Sequence, residues 1–249
     1  MFVLLALWRR ELAAYFLSPI AYVAAIFFLL ITGFNFYLVV GLFNTREYTI
    51  PDVMEQLLSS PLFFWPTFLL IVPVLTMRTF AEERHAGTIE TLMTAPVTER
   101  AVVFAKFLAA LTMFAFMWLP TVSYPFLLEI FSEESAPLDI MPAESGYAGV
   151  MLLGMFYLSV GVLCSALSGS QVVAAIATYA IMGILFFGGL VHSYVASDLI
   201  RDVSLYISSF EHQQRFVRGL IDSRPVVFYL TGTGLVLFLS VRMLEGRRG

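Results

Sequence analysis

Residues 77–106 read MRTFAEERHAGTIETLMTAPVTERAVVFAK. They place a charged, helix-forming stretch between two apolar runs, one ending near Met77 and the next opening at Ala101. Helix formers dominate from Phe80 to Met93, Gly87 interrupts them, and Pro96 ends the run. Thr88 is a candidate N-cap, although Thr91 stands where a capping box needs Glu or Gln. A short charged helix in this position either docks on a soluble partner or is a solvated loop helix. Composition alone favours neither, since most charge runs are simply solvated.

Outward from this stretch the chain is apolar. Of its 249 residues 59% are hydrophobic and 13% charged, with a mean hydropathy of +0.86. Soluble domains carry about twice that share of charge. The apolar residues fall in blocks near the ~20 residues that a spanning helix needs. The expected spans are about 20–43, 61–77, 101–128, 147–167, 172–195 and 225–244. The second is short and carries Pro66 and Pro73, which suits a kinked helix facing the bundle interior. Residues 2–17, with Trp8, Arg9, Arg10 and Tyr15, suit a helix in the membrane interface and do not resemble a cleavable signal. Residues 196–224 form an amphipathic segment. The fold class is all-α integral membrane, in a single domain without internal repeats.

Lys and Arg set the orientation. With both termini on one side, that side holds nine of the 14 basic residues and only six of the 18 acids. Both termini and residues 78–100 are therefore expected in the cytoplasm. The net charge of −4 gives no reason to expect a nucleic-acid partner.

The sequence holds no P-loop, no HExxH, no GxSxG and no Cys/His cluster with metal spacing. No catalytic, cofactor-binding or metal-binding residue is assigned. His85 is expected inside, His212 outside and His192 at the outer end of the fifth span, each as a surface or interfacial side chain. The span interiors hold essentially no charged side chain, and Lys106, about one turn inside the third span, is expected to snorkel to the cytoplasm. A proton- or sodium-coupled carrier is disfavoured, since ion paths are marked by intramembrane charge.

The string FAEERHAGTIETLMTAPVTERAVVFAKFLA (80–109) resembles the first cytoplasmic loop of ABC-2 permeases, whose signature is EE-[KR]-x-x-GT-x-E-x-L-x-[TS]-x-P-V. Glu82, Glu83, Arg84, Gly87, Thr88, Glu90, Leu92, Thr94, Pro96 and Val97 occupy its positions. RRELAAYFLSPIAYV (9–23) resembles the family's first helix, and SGSQVVAAIATYAIM (168–182) the start of its fifth span. Residues 208–248 resemble the gliding-motility-associated and copper-enzyme-maturation branch.

The resemblance implies an ABC-2, type V exporter-like fold with an N-terminal elbow helix and a cytoplasmic coupling helix, about Glu82 to Ala95, seated in a groove of a separate ATPase. Glu82, Glu83, Arg84 and Glu90 would make charged contacts there, with Gly87 turning the backbone. It implies two ATPase copies that bind ATP and Mg, a second or sister permease, and spans two and five along the central path. An accessory protein with an extracytoplasmic domain and a bacterial inner-membrane location follow from the same likeness. Phe210, Phe216, Leu220 and Ile221 would bury against the outer bilayer face, while His212, Gly219 and Asp222 match the pattern without an assigned chemistry. Two readings stay open beside it: a mechanical relay that moves no solute, and a membrane scaffold unrelated to ABC systems.

Overall fold

The computed structural model describes residues 2–43, 50–85, 87, 97–131, 140–191 and 197–246. Every regular element among them is helical. Thr88, Glu90, Leu92, Thr94 and Pro96 of the signature, and His192, lie outside the described residues.

Helix α1 (Phe2–Leu17) is separated by Ser18 from α2 (Pro19–Phe43). Pro19 suits the first turn, where its missing amide has no partner to lose. Then come α3 (Ile50–Leu58), α4 (Phe64–Thr76) and the short α5 (Ala81–His85). Helix α6 (Glu99–Trp118) begins at Thr98, whose hydroxyl accepts from the Ala101 amide at 3.3 Å. Leu119–Ser123 then tighten into a 3₁₀ turn with Pro120 at its start, and α7 (Tyr124–Phe131) follows. The third apolar run is thus broken at its proline instead of continuing straight. Helix α8 (Ile140–Leu167) begins within the acidic segment, ahead of the expected start at 147. Pro142 falls in its first turn, where proline is tolerated. The chain ends in α9 (Gln171–Leu190), α10 (Asp198–Ile207), α11 (Ser209–Val217) and α12 (Ser223–Glu245).

Six stretches among the described residues are long and apolar enough to cross a membrane: Pro19–Gly41, Phe64–Arg84, Glu99–Leu128, Met141–Leu167, Gln171–Leu190 and Ser223–Glu245. The second, third and fourth are 67, 61 and 72% buried, while the first, fifth and sixth are 22, 22 and 28% buried. Three inner helices therefore carry three outer ones. On α2 the exposed side chains Val23, Ile26, Leu30, Phe34 and Tyr37 recur at helical spacing and suit lipid.

Helix α8 is the spine, packed against α4, α6, α9, α11 and α12. Small residues allow the close approach. A Cβ at Gly154 would strike the Phe114 ring of α6, and one at Gly161 would strike the Thr76 side chain of α4. Bilayer helices lack a hydrophobic drive toward each other, so backbone proximity of this kind carries much of the packing. Around Phe114 the rings of Phe64, Trp65, Phe68, Trp118 and Tyr157 form one aromatic cluster.

At the opposite end from α5, α11 closes the bundle. Gln213 Nε2 donates to the Leu58 and Gly146 carbonyls, and Ser145 Oγ to the Phe216 carbonyl at 2.6 Å. Phe216 is buried inside the fold, correcting the expectation that it faces the outer bilayer, whereas Leu220 and Ile221 are exposed. Gly219, at φ +78°, ends α11, and Asp222 caps α12 by accepting from the Arg224 amide. Those two positions of the family pattern thus have structural roles.

Gly154→Val is expected to lower stability by about 1–3 kcal/mol through overpacking against Phe114. Gly183→Ala, at a position with no neighbour within 4 Å, is expected to be near neutral. Thermal melts in one detergent read both.

Candidate functional site

Of the signature residues that the structure describes, Glu82, Glu83 and Arg84 lie on α5, Gly87 just beyond it and Val97 ahead of α6. The α4–α5 turn is held by one hydroxyl, that of Ser165 on α8. Ser165 Oγ accepts from the Phe80 and Ala81 amides at 3.0 and 3.1 Å and donates to the Met77 carbonyl at 3.2 Å. Its one donor and two acceptor sites are all used. Residues 80 and 81 are fully buried, so their amides have no water to turn to. Beside it, the Arg84 guanidinium donates to the Ser168 carbonyl at 3.3 Å. Two contacts therefore fasten α5 to the end of α8.

A buried ion cluster fastens it on another side. Lys106 of α6 is 3% exposed, and its Nζ lies 2.9 Å from Glu83 Oε1 and 3.0 Å from Glu11 Oε2. The Phe80 ring lies 5.2 Å from the same ammonium. Exposed Arg10 stands 3.7 Å from both carboxylates. The cluster thus joins α1, α5 and α6. Lys106 does not snorkel outward: α1, α5 and α6 surround it, and two carboxylates meet its charge in place of water. Glu83 faces inward to this lysine, while Glu82 is exposed.

Helix α1 runs beside α6, with Trp8 Nε1 donating to Thr112 Oγ1 at 3.2 Å and the Phe16 and Phe116 rings edge to face at 5.3 Å. Tyr15 donates to the Leu75 carbonyl at 2.6 Å. That carbonyl sits at the end of α4, where the Thr79 amide has turned to Thr76 instead. Burial raises the Tyr15 hydroxyl pKa, with Glu11 adding to the effect. Gly87 has φ +68°, a backbone that suits glycine because it carries no Cβ penalty. The partners of Ser165, Glu11 and Tyr15 have no signature in the sequence, which marks Tyr15 only as part of an interfacial helix. The only signal for Ser165 is a small polar residue inside an apolar run.

His212 is also not where the sequence reading put it. It is buried between α11 and α12, with Nδ1 3.0 Å from the Tyr229 hydroxyl. Burial first, and Arg215 second, lower its pKa from 6.5 to about 4, against a smaller upward pull from Asp222. Among the described residues no cluster of His, Cys, Asp and Glu is placed to hold a metal ion.

The molecule is a multi-pass membrane protein whose polar chemistry gathers at helix ends. Residues 70–237 match the ABC-2 family transporter protein family, more than half of the chain, and the chain belongs to that family. It is accordingly the membrane-spanning permease subunit of an ABC transporter, a transport subunit and not itself an enzyme, and the family works with an ABC ATPase subunit. No curated protein matches the chain. The family match begins at residue 70, so Glu83, Lys106 and Ser165 lie within it and α1 lies before it.

Lys106→Met leaves two carboxylates facing each other, and is expected to cost about 3–5 kcal/mol. Ser165→Ala orphans two buried amides, and is expected to cost about 1–3 kcal/mol. Chemical denaturation in mixed micelles measures both. For His212, the folded pKa lies below the unfolded one. The stability present above pH 6.5 is therefore lost as pH falls toward about 4, because the unfolded chain binds a proton that the folded chain resists. His212→Gln is expected to flatten that part of the stability profile.

Proposed function

We propose that this permease couples ATP hydrolysis by a separate ATPase to export across a bacterial inner membrane, with both termini cytoplasmic. The observation that carries the proposal is the fastening of α5 to α1, α6 and α8 at once, through Lys106, Ser165 and Arg84. A helix held only by its chain ends would yield when pushed. One held on three sides transmits a push to two spans and the N-terminal helix. ATP and Mg belong to the ATPase in this scheme, and two ATPases serve two permease chains, identical or sister.

The coupling helix is proposed to comprise α5 and the residues after Gly87, including Thr88, Glu90, Leu92, Thr94 and Pro96. Glu82, exposed on α5, offers a charge to the ATPase groove, whereas Glu83 and Arg84 act inward as struts. Helix α1 serves as the elbow helix. Membership in the motility-associated branch, with an accessory extracytoplasmic partner, is part of the same proposal and rests on the likeness of residues 208–248.

The apolar exposed face of α9, with Val173, Ile176, Ile184 and Phe187, supports a path wall suited to lipid-like cargo. The same wall serves a relay that passes ATPase motion outward without cargo. A flux assay in proteoliposomes beside an ATPase assay separates the two.

Charge reversal at Glu82 and Glu90 together is expected to weaken ATPase capture about tenfold, or about 1.4 kcal/mol, with the permease itself still folded. Co-purification from detergent, with melting as the folding control, reads this. Undiminished capture would remove these side chains from the docking contact.

A further inference from the structure

A cleft of about 450 Å³ opens between the end of α1, the start of α2 and the end of α4. Its apolar wall includes Leu17, Ile20 and Val74, and its polar wall includes Arg10, Arg78 and Glu82. The volume is within the range of small-ligand sites, about 300–1,000 Å³. Glu11 and Glu83 also border it, but both face Lys106.

Arg78 is the unusual group. Its Nη1 donates to Ser18 Oγ at 2.9 Å, and its Nε is buried with no hydrogen-bond partner among the described residues. Among those residues it forms no ion pair. A half-buried guanidinium without an anion has given up water for little return. A phosphate supplies what it lacks, since the guanidinium fork fits phosphate oxygens and is rigidly preformed. The cleft lies where one candidate span starts, at Pro19, and another ends, at Arg84. That is the level of lipid headgroups, where basic pockets between helices hold lipid phosphates.

We propose that this cleft binds one bilayer phospholipid, its phosphate on Arg78 with Arg10 at the rim and its acyl chain along Leu17 and Ile20. Glu82, the acid at the polar wall, suits the ammonium of an ethanolamine headgroup. Leu17 is 82% exposed and Ile20 38%, which leaves apolar surface for a chain to cover. A lipid seated here touches α1, α2 and α4 together, beside the ion cluster. The proposal goes beyond the transport reading and stands without the ATPase.

The test is native mass spectrometry of the full chain, delipidated in detergent and titrated with phosphatidylethanolamine, phosphatidylglycerol or glycerol 3-phosphate. One retained phosphatidylethanolamine per chain is expected, with phosphatidylglycerol weaker and glycerol 3-phosphate failing to compete. Arg78→Gln is expected to lower retention at least fivefold. Leu17→Glu, at a surface position outside the core, is expected to do the same while leaving the melting curve unchanged, which keeps the test independent of any folding defect at Arg78. Retention unchanged in both variants would overturn the site. Glycerol 3-phosphate binding as tightly as the lipid would overturn the lipid as its ligand.

Discussion

A lysine that is 3% exposed must have its charge answered within the protein, and Lys106 sets the arrangement of everything around it. Desolvating an ammonium costs several kcal/mol, which only close, well-aligned carboxylates recover. Glu11 and Glu83 come from segments 95 and 23 residues away in sequence. Satisfying one ammonium therefore fixes α1 and α5 against α6. Buried ion clusters contribute little net stability, but they penalise every arrangement that separates the partners. That penalty is useful where a helix must move with its neighbours and not apart from them.

The second constraint is spatial. Helix α8 is approached by α6 at Gly154 and by α4 at Gly161, and it carries Ser165 one turn beyond. The same helix thus sets how near the inner spans sit and where the α4–α5 turn is capped. Among the described residues, Ser165 and Lys106 anchor one end of the bundle and Gln213 and Ser145 the other. Between them lie rings and close-packed glycines, with hydroxyl contacts such as Trp8–Thr112 and Tyr157–Ser209.

Much of the architecture was legible because membrane thickness imposes a length on apolar runs. The six spanning stretches, the helix over residues 2–17 and the proline-bearing inner second span all follow from that rule and from proline's missing amide. The ABC-2 signature was legible as a string. What it holds in place was not. Sequence shows Lys106 near the end of a span, where snorkelling is the usual outcome, but not that α1 and α5 close over it. It shows His212 in a polar segment, but not that Tyr229 waits in the next helix. The break at Pro120 and the early start of α8 depend on packing against neighbours, which periodicity does not record.

The proposed coupling requires α5 to move with α1 and α6, because Lys106 of α6 binds Glu83 of α5 and Glu11 of α1 as one unit. A double-mutant cycle of Glu83→Gln and Lys106→Met tests it, read as ATP turnover of the reconstituted permease–ATPase complex in nanodiscs. Residues acting as a unit give non-additive losses, with interaction energies of about 0.5–3 kcal/mol. The second substitution is expected to add little to the first. Fully additive losses, or turnover unchanged in Lys106→Met, would contradict it.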